Sequence, residues 1–304
     1  MTNLKLMATA VALSVAYCVQ AQTPSDAIMM QKGQICLAAI YTHDTWNEYW
    51  EGTLKRENGN IGTFTRQTVM PMFALGITDR INVIAGLPWM RTQASAGQLR
   101  GVSGIQDAGL WVKATAFEWN AGSSRFNLYA TAGFTLPASN YLADYQPFSL
   151  GIGCTDASLR AIALYQWKGW YVRAQSGYHL RGNTQIERDY YYTTQDYYTD
   201  IVDMPNALDY GGAIGWWNKS NSLKAEIALD GLYTIGGFDI RRQDMPFPSN
   251  KMNFTRLGGG VQYYPLSGKG FGATIYGGYV LAGRNMGQSL VLSGGITYQF
   301  SIWK

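Results

Sequence analysis

From residue 33 onward the chain repeats one unit, a run of roughly 10 to 14 residues in which apolar and polar side chains alternate, closed each time by a turn signal. Successive side chains of a strand point to opposite faces, so a wall between lipid and water must alternate in this way. The segment 288–303 is the clearest case: Leu290, Leu292, Ile296, Tyr298, Phe300 and Ile302 share one parity, and Ser289, Ser293, Thr297, Gln299 and Ser301 the other. In 223–235, Leu223, Ala225, Ile227, Leu229, Tyr233 and Ile235 oppose Lys224, Glu226, Asp230 and Thr234. Phe126, Leu128, Ala130, Ala132, Phe134 and Leu136 form the apolar side of a third run, and Arg173, Gln175, His179 and Arg181 the polar side of a fourth.

The pattern predicts twelve strands, at 34–46, 63–76, 81–92, 104–118, 125–137, 150–167, 170–182, 206–218, 222–235, 252–264, 270–282 and 288–302. The fold class is all-β, a closed antiparallel transmembrane β-barrel of about 12 strands. An open sheet edge cannot sit in lipid, so the first and last strands must pair. Short connections (77–80, 119–124, 168–169, 218–221, 265–269) alternate with long ones (47–62, 93–103, 138–149, 183–205, 236–251), followed by a short sixth at 283–287. Short turns on one side and long loops on the other place both termini in the periplasm.

Met1–Ala21 reads as a secretory signal peptide: Lys5 precedes an apolar core, and Val19-Gln20-Ala21 is a small-x-small cleavage pattern. Tyr17 stands where a lipobox before Cys18 needs a small residue. Residues 22–33 form a short N-terminal segment and 34–304 the barrel; nothing in 22–33 marks a plug or a periplasmic domain. Composition supports this division. Only 14% of residues are charged, against roughly 25% in soluble domains. The chain is rich in aromatics, with 21 Tyr, 10 Trp and 11 Phe, and has 35 glycines. A net charge of +4, dispersed along the chain, excludes a nucleic-acid footprint. Cys36 and Cys154 fall at opposite ends of the predicted barrel, too far apart for a disulfide.

The stretch 73–182 resembles the meta-pathway phenol-degradation family of outer-membrane proteins, distant relatives of the long-chain fatty-acid and toluene channels. The resemblance is carried by FALGITDRINVIAGLPWM (Phe73–Met90), SGIQDAGLWVKA (Ser103–Ala114), FTLPAS (Phe134–Ser139), SLGIG (Ser149–Gly153) and SGYHLRG (Ser176–Gly182). The chain departs from the family at Ala138, and the long N-terminal hatch of the fatty-acid channels has no counterpart. The resemblance implies a barrel connected with uptake of small compounds, hydrophobic or aromatic ones among them.

Candidate chemistry lies on the polar parity. Asp107, Lys113, Arg160, Arg173, His179, Arg181, Lys224, Glu226 and Asp230 fall on the lumen face, with Arg66 near the outer rim. They form either a salt-bridged wall or a selectivity ladder for solutes. Tyr190, Tyr191, Tyr192, Tyr197 and Tyr198 crowd one long loop, as a capture surface for an aromatic ligand or as a solvated loop over the mouth. His43 falls on the lipid face beside Thr65 and Gln67, with no serine for a lipid-hydrolase pair. No Cys/His/carboxylate spacing suggests a metal. Gly258-Gly259-Gly260 precede no helix that could cap a phosphate and read as strand glycines.

The expected function is a passive outer-membrane channel for small molecules, not an enzyme, with no cofactor. Its expected partners are outer-membrane lipids, a small-molecule solute and the barrel-assembly machinery, met through the C-terminal strand, and not nucleic acid. Twelve strands lie between the eight that side chains fill and the 16 or so of an open pore, so a narrow lumen is expected. The alternatives are a structural or surface-interaction barrel with a closed lumen and, after it, a barrel-borne lipid hydrolase.

Overall fold

A computed structural model describes residues 22–240, 245–266 and 269–302. The signal-peptide reading of Met1–Ala21 lies outside them. Alternation becomes strand at twelve places: β1 (Gln34–Trp46), β2 (Phe64–Thr78), β3 (Ile81–Gly86 continued by Trp89–Ala94), β4 (Ser103–Ile105 continued by Asp107–Ala121), β5 (Ser124–Pro137), β6 (Asp156–Trp167), β7 (Trp170–Arg181), β8 (Ala207–Trp217), β9 (Leu223–Thr234), β10 (Asn253–Tyr263), β11 (Gly270–Arg284) and β12 (Leu290–Ser301). Each pairs antiparallel with its neighbours in sequence. β1 closes the cylinder by pairing with β2 on one side, from Ile35↔Leu75 to Trp46↔Phe64, and with β12 on the other, from Gln34↔Ser301 to Thr45↔Leu290. Closure leaves no unpaired edge in the wall, the condition for strands to stand in hydrocarbon. Among the described residues no helix is long and apolar enough to cross a membrane.

The β3 wall bends at Leu87-Pro88. Pro88 has no N–H for the ladder; it falls in the gap between the Met72↔Gly86 and Val69↔Trp89 pairs with β2, and the gap is bridged by Leu87 N–H donating to the Pro71 carbonyl at 3.2 Å and Gln106 N–H to the Pro88 carbonyl at 2.9 Å. The β6–β7 hairpin turns on Lys168-Gly169, both at positive φ (48° and 91°), the conformation that continues the twist of the strands on either side.

The outer surface is the apolar parity. Leu159, Ile214, Ile227, Ile275 and Ile296 are exposed around its middle. Trp119, Trp167, Trp170, Tyr263, Phe271 and Tyr298 ring the end that carries the termini and short turns, the turn end, and Tyr41, Trp89, Tyr178, Tyr233 and Tyr279 ring the loop end. An aliphatic band between two aromatic girdles is the surface a bilayer requires. His43 lies on this face between Gln67 and Leu292 in register. Gly258, Gly259 and Gly260 lie inside β10, where a Cβ on Gly258 would come within 2.2 Å of the Tyr276 hydroxyl. They admit close packing in the wall.

Two expectations need correction, and one connection proves more ordered than its length required. The sixth strand begins at Asp156, not at residue 150. Leu150 and Cys154 alternate with glycines because they turn into the mouth, and Gly153 at φ 70° takes the chain out of an extended path. The long connection 183–205 carries strands of its own: 183–185 pairs with 201–203 and 191–192 with 196–197, making a projecting hairpin with its own core of Ile186, Tyr191, Tyr197 and Val202. Residues 22–33, taken as a bare lead-in, occupy the lumen.

Candidate functional site: the filled lumen

The N-terminal segment enters the barrel at the turn end. Its first residues form a tight turn in which the Asp26 carboxylate accepts from the Ile28 N–H at 2.9 Å and the Thr23 hydroxyl at 2.9 Å. That turn leaves several of its carbonyls free, and cations of the wall take them. Lys113 Nζ donates to the Thr23 carbonyl at 2.5 Å, to the Asp26 carbonyl at 2.8 Å and to Asp26 Oδ1 at 2.8 Å. Arg173 donates to the Ser25 carbonyl at 2.8 Å and Arg160 to that of Pro24 at 3.4 Å. Asn82 donates to Gln22 Oε1 at 3.0 Å and to the Met30 carbonyl at 3.3 Å.

Ala27–Met30 then runs extended and period two places its side chains on opposite walls. Ile28 and Met30 pack with Cys36, Ala74, Ile84 and Tyr264, while Ala27 and Met29 pack on Tyr129, Ile162, Leu164, Tyr171 and Trp217. The segment passes so close to β2 that a Cβ on Gly76 would lie 2.0 Å from the Gln31 carbonyl oxygen; only glycine fits there. The segment is a plug built from backbone carbonyls, one carboxylate and four apolar side chains.

Beyond the plug the lumen holds paired charges. His179 bridges two carboxylates, Nδ1 to Asp156 at 3.0 Å and Nε2 to Asp209 at 2.8 Å. Arg160 grips Asp209 with two parallel bonds of 3.0 and 2.8 Å, and Arg181 Nε lies 3.6 Å from Asp156. Glu226 accepts from the Tyr171 hydroxyl at 2.5 Å, meets Lys224 at 3.1 Å and faces Arg173 at 3.8 Å. Asp230 pairs with Arg256 at 2.7 Å. Arg66 pairs with Asp44 near the loop end, and Asp107 accepts from the Tyr141 hydroxyl.

All ten residues placed on the lumen face by parity therefore point inward, and each has a partner there. Parity reasoning passed over Asp26, Asp44, Asp156, Asp209 and Arg256. Asp209 and Arg256 were legible, since Leu208 and Ile214 flank the first on the outward parity and Leu257 and Val261 the second. Asp26 carried no signal, because its segment has no wall parity to read.

The mouth is covered by loops. Phe148, fully buried, packs edge-on against Phe64 with ring centroids 5.5 Å apart, and its carbonyl accepts from Thr92 Oγ1 at 2.9 Å. Arg188 of the projecting hairpin meets Asp144 at 2.8 Å, and Asp144 also accepts from the Phe247 N–H at 2.6 Å, so three loops meet at one carboxylate. Burial and the bond to Asp107 push the Tyr141 phenol well above its ordinary range, and burial raises the Cys154 thiol to about 11. A second clasp joins Asp239 to Arg284 at 2.6 Å and to Asn285 at 3.0 Å, and Asn285 Oδ1 accepts the Gly52 N–H at 2.7 Å. The hydrogen bond from Arg284 is the main reason the Asp239 carboxyl is held down to about 2.

Of the five loop tyrosines, Tyr191 is buried and stacked on Tyr197 (5.0 Å, 8°), Tyr192 is half-buried, and Tyr190 and Tyr198 present exposed rings 5.4 Å apart. Cys36 lies inside the turn end and Cys154 in the mouth; both are free thiols. No group of three His, Cys, Asp or Glu side chains is arranged for a metal among the described residues.

No family model matches the chain, and no curated protein matches it. Among solved structures it is similar to a COG4313 outer membrane channel from Pseudomonas putida F1, with a TM-score of 0.74 and 16% identity over 92% of this chain and 100% of that one. The translocator domain of the autotransporter NalP from Neisseria meningitidis gives a TM-score of 0.43 at 12% identity, covering 99% of this chain and 95% of that one. The KdgM porin in complex with disordered oligogalacturonate gives 0.44 at 9%, covering 86% and 99%. The likeness to the first shows the fold alone, a closed antiparallel β-barrel shared over nearly the whole chain.

Proposed function

We propose that this chain is a bacterial outer-membrane channel for small molecules, held closed by its own N-terminal segment. The observation that carries the reading is the way residues 22–33 fill the turn end. A wall built only for strength would be filled by its own side chains. Here Lys113 bonds, among the described residues, to nothing but a separate segment outside the sheet, and Arg160 and Arg173, though paired with Asp209 and Glu226 in the wall, also donate to that segment's carbonyls. Such contacts can be exchanged for water or a solute without breaking any barrel ladder. In this reading Met1–Ala21 is removed on export, the termini and short turns face the periplasm, and the paired charges above the plug become the solute's path when the plug withdraws. The neighbour described as an outer membrane channel supports the reading, and the resemblance of 73–182 to the phenol-degradation barrels supports hydrophobic or aromatic solutes.

The filled lumen equally favours a second reading, a closed structural barrel. Planar-bilayer recording separates the two. Deleting residues 23–31 is expected to convert a nearly silent barrel into one with discrete steps of conductance. A deletion variant that stays folded, judged by heat-dependent gel migration, and remains silent would establish the closed barrel instead.

A further inference from the structure

We infer that the cavity beside the plug at the turn end is a binding site for a small aromatic monoanion. The cavity holds about 880 Å³, within the range of ordinary ligand sites, and lies between Met29 of the plug and the walls of β4 to β9. Tyr129, Leu164, Tyr171 and Trp217 give it an aromatic and aliphatic side. Against that side stands Lys224, which is 6% exposed, with Nζ 5.6 Å from the centroids of both the Tyr171 and Trp217 rings.

The charge count decides the sign of the ligand. Glu226 is shared between two cations, Lys224 and Arg173, so this group of three carries one positive charge more than it cancels. Lys224 has three donors, and its one hydrogen-bonding partner among the described residues is Glu226. The acids that line the cavity, Asp79 and Glu118, are outnumbered there by Lys32, Arg80 and Arg125: Asp79 accepts the Lys32 backbone N–H and Glu118 faces Arg80. Desolvated positive charge in excess of the carboxylate it shares is costly. An entering carboxylate supplies the missing counter-charge, and its ring meets the aromatic and aliphatic lining of Tyr129, Leu164, Tyr171 and Trp217. Arg125 at the cavity, bonded to the neutral Asn120, adds attraction for anions.

This inference deepens the channel reading by naming the class of solute that meets the turn-end cavity, yet its test needs no conduction. Titration calorimetry on the full chain in detergent, with its plug in place, compares three isosteric probes: benzoate, benzamide and benzamidine. Benzoate is expected to bind roughly tenfold or more tightly than benzamide, the ratio to be expected of one charge-assisted contact, with no heat from benzamidine. Benzoate binding is expected to weaken in high salt. Lys224→Gln, with folding verified by heat-dependent migration, is expected to bring benzoate down to the level of benzamide. Equal binding of benzoate and benzamidine by the wild-type chain would overturn the site without recourse to any variant. So would benzoate binding that survives Lys224→Gln but is lost when Arg80 and Arg125 are changed to Gln, which is the behaviour of a rim that attracts any anion, lipid headgroups included. A silent plug-deletion variant alongside intact benzoate selectivity would remove the channel and leave the site standing.

Discussion

Single residues hold the filling in place at both ends of the lumen. At the turn end Lys113, with a side chain 0% exposed, is satisfied by the plug alone, through Thr23 and Asp26. Removing one partner of a buried pair strands the other, at about 3–5 kcal/mol, whereas replacing both by apolar groups restores much of the loss. Lys113→Met is therefore expected to expel the plug and raise conductance while the barrel persists, and Lys113→Met combined with Asp26→Leu is expected to conduct less than the single variant. Bilayer recording of the two side by side checks this, and a double variant at least as open as the single one would contradict it.

At the loop end the Asp239 clasp carries a pH dependence. Its folded pKa, about 2, lies below the ordinary carboxylate value, so its contribution is complete above roughly pH 4 and is lost as pH falls through 2. Asp239 and Arg284 are both more than a third exposed, so solvent screens the pair and the effect stays local to the clasp. Pepsin cleavage within 236–252, taken as a ratio to the same cleavage in Asp239→Asn at each pH, is expected to start low at pH 4 and approach one by pH 2. A ratio flat across that interval would show that the clasp does not order the loop.

At the scale of elements, alternation defines two environments, and depth in the bilayer grades one of them. Ile296 stands mid-strand in β12 with 62% exposure, and Ile302 stands just beyond it on the same parity at the turn end. Arginine at the bilayer midplane of a barrel costs about 2–4 kcal/mol and near an interface about 0–1. Ile296→Arg is expected to cost the larger amount and Ile302→Arg the smaller, in reversible unfolding from lipid vesicles; equal costs would mean the band is not embedded as its girdles indicate. The same alternation misplaced the start of β6, because Leu150, Ile152 and Cys154 also alternate with small residues. Their two environments are the packed mouth and the space around it, and a period of two does not distinguish these from lipid and lumen.

For the whole molecule, closure follows from the pairing of β1 with both β2 and β12, which spends every edge of the wall. A lumen twelve strands around is wider than wall side chains alone fill, and the chain completes the filling with segments outside the wall. The plug closes one end, and the loops 138–155 and 183–206 meet residues 245–252 over the other. The aromatic cavity beside the plug exists because the plug lies against one part of the wall and leaves space along another.

The sequence by itself determined the wall. Twelve runs of period two, the short and long connections between them, the parity of Lys113, Arg173, His179 and Glu226, and the register that sets His43 beside Gln67 were all readable, because a strand between lipid and lumen must declare at each residue which side it faces. Parity states a side and not a partner. Which carboxylates His179 bridges, and that Glu226 is shared by two cations, depend on the register between neighbouring strands and on the side-chain directions that the packed lumen selects. Residues 22–33 answer to no wall and show no wall pattern, so their place in the lumen was decided only by the tertiary structure: a ring of cations and apolar side chains that the closed barrel assembles, and that a short segment with exposed carbonyls and alternating apolar side chains satisfies.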